Sequence, residues 1–145
     1  MVPGEGDKAM TRLVGVCCAI ALGFAFVGCK DQQACEQSRL EMAKTWKKLQ
    51  ENAATRAAEP DSDLTDQQKA EYKAAWGQIE ENAHLVQGSF TTAQVTWPAA
   101  DRGRAQLKEA FQTKVQNKED PLVVGFGRML QEADGQYDAF VQKCK

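Results

Sequence analysis

The stretch "PLVVGFGRMLQEADGQYDAFVQKC", residues 121–144, decides the fold. Leu122, Phe126, Met129, Ala133, Tyr137, Phe140 and Cys144 recur at steps of three and four, the spacing that lines apolar groups along one face of an α-helix. A strand would alternate every second residue, and this stretch does not. Asp120 stands where an N-cap side chain is needed. Pro121 follows at the first helical position, where its missing N–H costs nothing. The segment is therefore a helix of about seven turns with one face to bury.

Working back along the chain, three further segments carry the same pattern. Residues 32–58 place Cys35, Met42 and Leu49 seven apart, with Trp46 and Ala53 between them, and Pro60 ends the run. "EPDSDLTD" is an acidic loop. Thr65 followed by Gln68 is a capping-box pair, and it opens a stripe of Tyr72, Trp76, Ile79, Ala83 and Val86. Pro98 suits the first turn of a helix carrying Ala100, Arg104, Leu107 and Phe111 on one face, with Val115 beside it. Short loops between such helices force antiparallel neighbours. The expected fold is all-α: an up-down-up-down four-helix bundle over residues 35–145. The connector "GSFTTAQVTW", residues 88–97, fits a loop, an extra turn or a kinked continuation equally well.

Composition removes several classes of function. The chain has 145 residues and a net charge of −2, and no stretch is basic enough to make nucleic acid its partner. It has one histidine, His84, expected on the solvated side of its helix and paired with Glu80 one turn back. "EENAH" lacks the further ligands of a zinc site, and no Cys-x-x-Cys-His is present for haem attachment. "DSDLTD" lacks the sixth-place glycine and twelfth-place glutamate of a calcium loop. "GFG" at 125–127 falls inside a helix, where close packing is its expected role. No Gly-x-Ser-x-Gly occurs. The sequence thus offers no catalytic residue, no metal ligand set and no cofactor, and a non-enzymatic protein is expected. Lys44, Lys47 and Lys48, opposed by Glu41 and Glu51, read as a solvated face, with contact to anionic lipid or glycan as the alternative. Trp46, Trp76 and Phe111 read as core. Phe90 and Trp97 fall in the connector, and if exposed there they would anchor a protein partner.

The start of the chain differs from the rest. Leu13–Val27 holds no charged residue and follows Arg12. Fifteen residues rise about 22 Å, short of the roughly 30 Å hydrocarbon core, so a cleaved secretory signal fits better than a spanning helix. "MVPGEGDKA" is acidic where such signals are positive. "MTR" from Met10 supplies the positive flank, which makes Met10 a candidate start.

Phe26-Val27-Gly28-Cys29 resembles the lipobox of bacterial lipoprotein precursors, Leu-(Ala/Ser/Val)-(Gly/Ala)-Cys, with Phe26 in place of the favoured leucine. The resemblance covers the first thirty residues only. It implies a signal peptide over residues 1–28, acylation of Cys29 as the first mature residue, and a short tether over residues 29–34. Two or more acyl chains hold a soluble domain firmly on a membrane, at about 0.8 kcal/mol per buried methylene. The alternative is a signal cut elsewhere, with Cys29 an ordinary thiol. In enterobacterial lipoproteins an aspartate next to the cysteine resembles an inner-membrane retention signal. Lys30 stands there instead, so the resemblance favours the outer membrane.

With Cys17 and Cys18 removed in the leader and Cys29 assigned to lipid, Cys35 and Cys144 remain as an even pair of mature thiols in an oxidising compartment. The bundle places both at one end, so a disulfide is expected, the alternative being two buried free thiols. The expected function is a lipid-anchored binding or accessory protein of the bacterial envelope, with the membrane and an envelope protein as partners. The alternative is an exclusion or immunity-type surface lipoprotein. A third reading follows the murein lipoprotein, which similarly ends in lysine and is joined to peptidoglycan through it. That tether needs its lysine far from its lipid, and the bridge would return Lys145 to the anchored end.

Overall fold

Alanine, glutamate, glutamine and lysine dominate the chain after residue 30, and these residues lose little side-chain freedom in a helix. The computed structural model describes residues 25–145, and the side chains of residues 32–145. Four helices make up most of this span: α1, Ala25–Ala58; α2, Asp66–Ser89; α3, Trp97–Lys114; and α4, Pro121–Cys144. There is no strand among the described residues, and the all-α class is as the periodicity predicts.

Local chemistry sets the boundaries. Thr65 Oγ1 accepts from the Gln68 N–H at 3.2 Å while the Gln68 side chain accepts from the Thr65 N–H at 2.9 Å, closing the capping box. The Asp120 carboxylate accepts from the Leu122 N–H at 2.8 Å, and Pro98 and Pro121 lie in the first turns of α3 and α4. One boundary differs from expectation. Helix α1 begins at Ala25 rather than near Gln32, so residues 29–34, expected as a tether, are helical. Residues 1–24 lie outside the described residues, as do the side-chain surroundings of Phe26, Val27, Gly28 and Cys29. The expected signal peptide and lipid attachment therefore fall outside what is described.

Helix α1 packs on α2 and α4, and α2 packs on α3. Each step forward along α1 is matched by a step back along α4: Cys35 meets Cys144, Thr45 meets Gln136, and Asn52 meets Met129. The two helices are antiparallel, as short connections require. Helices α3 and α4 meet through side chains, Arg104 with Asp134 and Asp138, and Phe111 with Phe126.

The core is built on aromatic edges. The Trp76 ring meets Phe126 edge-on at 5.0 Å and Phe111 at 6.4 Å, and Trp46 meets Tyr137 at 6.3 Å. Such T-shaped pairs set positive ring edges against negative faces and add about 0.5–1.5 kcal/mol each to their burial. Met42, Leu49, Ile79, Val86 and Leu107 fill the space between them.

The stripe of α4 is rotated at its start relative to the expected one. Val123 and Leu130 are buried, Met129 is half-buried, and Leu122 is 55% exposed. Phe126 anchors the start of α4 against Trp76 and Phe111, which leaves Met129 on the edge toward Asn52 and turns Leu122 outward.

On α3 the centre of the face is Ala100, Gly103, Leu107 and Ala110, with Arg104 and Phe111 flanking it. A Cβ at Gly103 would lie 2.9 Å from Val86 Cγ2 and 3.0 Å from the Asn82 carbonyl oxygen, so the lack of a side chain is what lets α3 approach α2. Gly127 is close to a neighbour as well, its notional Cβ 3.3 Å from Phe111, whereas Gly125 faces open space. His84 is exposed, and its Nδ1 lies 3.3 Å from Gln50 Oε1 on α1 rather than pairing with Glu80. Lys44, Lys47 and Lys48 on α1 are solvated, with Lys47 3.9 Å from Glu51, a surface pair worth about 0–1 kcal/mol.

Candidate functional site

The residues that combine unusual burial, charge and aromatic surface gather at one end of the bundle, where α1 enters it and α4 leaves it. Cys35 and Cys144 are bonded there, their Cα atoms 5.7 Å apart. The expected bridge is present.

One turn further along α1, Arg39 is only 6% exposed. Its Nε and Nη2 donate to the two carboxylate oxygens of Glu36 at 3.0 and 2.5 Å, and its Nη1 donates to the Phe90 carbonyl at 2.5 Å. The fork geometry of a guanidinium suits this task, since it satisfies one carboxylate and one orphan helix-end carbonyl together. The hydrogen bond from Arg39 holds the Glu36 carboxyl below its ordinary range, and the same bond raises the guanidinium.

Arg39 thereby pins the connector. The Phe90 N–H donates to the Gln87 and Gly88 carbonyls as α2 ends, and the Thr96 N–H donates to the Ser89 carbonyl across the loop at 3.3 Å. The Thr91 and Thr92 hydroxyls donate to backbone carbonyls within the same segment. The segment is therefore a closed loop, not a kinked helix. It folds Phe90 inward. That ring is 0% exposed, at 5.5 Å from Phe140, 5.9 Å from Tyr137 and 6.2 Å from Trp97, each near perpendicular.

Phe90 is therefore a core residue and not the partner contact expected of it. Exposure of Phe90 depends on an open form of the connector, a condition not met because Arg39 supplies the partner that turns the loop back. Trp97 is half-buried, stacked on Phe140 at 5.6 Å, and only its outer part is available for contact. An open concavity of about 760 Å³ lies outside it, with Gln32, Gln33, Gln94 and Val95 on its walls.

Behind Trp97 runs a polar seam joining α3 to α4. Arg104 donates to Asp134 and to Asp138, the latter at 2.7 Å, and its guanidinium lies 4.5 Å above the Tyr137 ring. Lys108 donates to the other Asp134 oxygen at 2.9 Å. The Tyr137 hydroxyl donates to Asp101, whose second oxygen is 3.5 Å from Lys145 Nζ. Burial, then the bond to Asp101, raises the Tyr137 hydroxyl well above the phenol range. Burial alone would raise the Asp134 carboxyl, but the bonds from Arg104 and Lys108 outweigh it and the net shift is downward.

The sign of the pH dependence follows. A carboxylate whose folded pKa is depressed stabilises the fold above its unfolded value of about 4, and that stabilisation is lost as pH falls through the folded value. Urea midpoints should be flat from neutral pH to about 5 and fall below about 4. Asp134→Asn should be less stable at neutral pH and show a shallower acid slope. An identical slope in the variant would contradict the seam.

Among the described residues no cluster of three or more His, Cys, Asp or Glu side chains is placed to hold a metal, and no helix is long and apolar enough to cross a membrane. At the opposite end of the bundle, Leu64, Tyr72, Trp76 and Lys114 border a cavity of about 50 Å³, far below the roughly 300–1,000 Å³ of small-molecule sites. Compared with models of protein families, with curated proteins and with solved structures, the chain matches none.

Arg39, Gly103 and the Asp101–Tyr137 pair were not singled out from sequence. A signal existed for the first: Cys35, Arg39, Met42, Trp46, Leu49 and Ala53 step by four and three, which puts the arginine on the buried face with Glu36 one turn back. Gly103 likewise falls in phase with Ala100, Leu107 and Ala110.

Proposed function

We propose that this chain is a bacterial envelope lipoprotein, acylated at Cys29, whose disulfide-closed bundle acts as a non-enzymatic binding or accessory subunit at the membrane, the outer membrane by the character of Lys30. The observation that carries the reading is the junction Phe26-Val27-Gly28-Cys29, which closes the uncharged run Leu13–Val27. The Cys35–Cys144 bridge supports it separately, since disulfides persist in the oxidising compartments to which a secretory signal leads. An anchor confines the bundle to a surface and raises its effective concentration toward other residents of that surface, a contribution that needs no active site.

The bridge also counts against a peptidoglycan tether. Lys145 follows the bonded Cys144 directly and is engaged with Asp101 and the Trp97 ring, at the end from which the anchor departs. Expression in a bacterial host with a clickable fatty acid tests the anchor. The wild-type chain should take up label and Cys29→Ser should take up none, the remaining mature cysteines being bonded. Undiminished labelling of Cys29→Ser refutes acylation at that residue.

A further inference from the structure

The two ends of the bundle are chemically unlike. At the end away from the bridge, Glu59, Asp61 and Asp63 occupy the first connector, Asp66 opens α2, and Glu119 and Asp120 outnumber Lys118 before α4. At the bridged end, residues 88–97 contain no charge in a chain whose residues are 26% charged. Among the charges at this end, Arg39 is neutralised by Glu36, Lys145 is shared with Asp101, Arg102 is exposed near the start of α3, and Lys143, without an ion pair among the described residues, borders a groove with Glu41. Beside them the half-buried Trp97 sets an indole at the border between core and solvent, on the wall of the open concavity. A neutral hydroxyl- and amide-bearing loop, a border tryptophan and a lysine without an ion pair, Lys143, are what a phospholipid headgroup layer accommodates.

We propose that the bridged end is a lipid-contact surface, with the connector 91–96, Trp97, Lys143 and Lys145 resting on the anionic phospholipid headgroups of the membrane that holds the anchor and the acidic end pointing away. The inference rests on the acylation of Cys29 and deepens it. Helix α1 runs unbroken from Ala25 through Cys35, so the six residues from Cys29 to Cys35 rise only about 9 Å. The headgroup layer of one leaflet is itself roughly 5–8 Å deep, which keeps the bridged end within a few ångströms of it. Charge acts in the same direction, because an anionic surface repels the acidic end and attracts lysines within about one Debye length, ~8 Å. The connector brings no charged group that would have to be desolvated on contact.

The experiment uses the full acylated protein in vesicles of phosphatidylcholine with and without phosphatidylglycerol, with bromine-labelled lipids as quenchers of tryptophan emission. Trp46 and Trp76 are 0% and 1% exposed, so quenching should come from Trp97 and vanish in Trp97→Phe. As a second readout, the unacylated Cys29→Ser chain should adsorb to the anionic vesicles, and Lys143→Gln and Lys145→Gln should each weaken adsorption about fivefold. Vesicle-bound protein without Trp97-dependent quenching overturns this proposal alone. So does Trp97 protection seen in native envelopes but not in pure lipid, which would assign the surface to a protein neighbour. Failure of the acylated fraction to associate with vesicles at all overturns the anchoring reading and this one together.

Discussion

Opening the Cys35–Cys144 bridge, by reduction or in the Cys35→Ser/Cys144→Ser double variant, lowers the stability of the bundle by about 3–4 kcal/mol. The bond spans a sequence separation of 109, so it removes conformations from nearly the whole unfolded chain. The chain-entropy model puts a loop of about a hundred residues at roughly 4.7 kcal/mol, and measured bridges typically give ~2–4. For a bundle of this size the thermal midpoint should fall by on the order of 10–15 °C. Urea titration of oxidised and reduced protein reads the difference directly, and alkylation of the oxidised mature protein should find no thiol at Cys35 or Cys144. A midpoint unmoved by reduction would mean that the non-covalent contacts between α1 and α4 already hold that end closed. The result bears on location as well, since a fold that depends on this bond has to mature outside a reducing cytosol.

Phe90→Ala should cost about 3–5 kcal/mol, the range for emptying an aromatic site in a packed core. Its ring is the hub of three others at the bridged end, and its carbonyl is the long-range acceptor that satisfies buried Arg39. Removing the ring leaves a cavity beneath the connector and loosens the carbonyl that the guanidinium needs. A surface contact residue would behave differently, its substitution shifting stability by no more than about 0.5 kcal/mol while weakening a partner. Urea unfolding of Phe90→Ala therefore separates core from interface in one measurement. A near-neutral effect would restore Phe90 to the surface. Trp97→Ala, which removes a half-buried ring, should fall between the two outcomes.

What could be read from the residues alone follows the reach of each interaction. Caps act over three residues, and Thr65 with Gln68, and Asp120 with Pro121, mark helix starts that the structure reproduces. Stripes act over one or two turns, and Trp46, Trp76, Ile79 and Tyr137 lie where the spacing puts them. The bridge was legible because the topology leaves Cys35 and Cys144 at one end.

Contacts that depend on a distant partner were not legible. The fate of the connector turns on Arg39, 51 residues from Phe90, and nothing within residues 88–97 announces it. His84 has an acceptor four residues away in Glu80 but sits nearer Gln50 on another helix. The start of α4 is phased by Phe126 against Trp76, a choice made in the core and not along the helix.

The intact mass of the mature protein, taken from a bacterial host with its lipids preserved, tests the central claim most directly. A chain that begins at Cys29 and carries a diacylglyceryl group, with or without a third acyl chain, is the predicted result. A chain that retains its leader, or whose first residue bears no lipid, contradicts it.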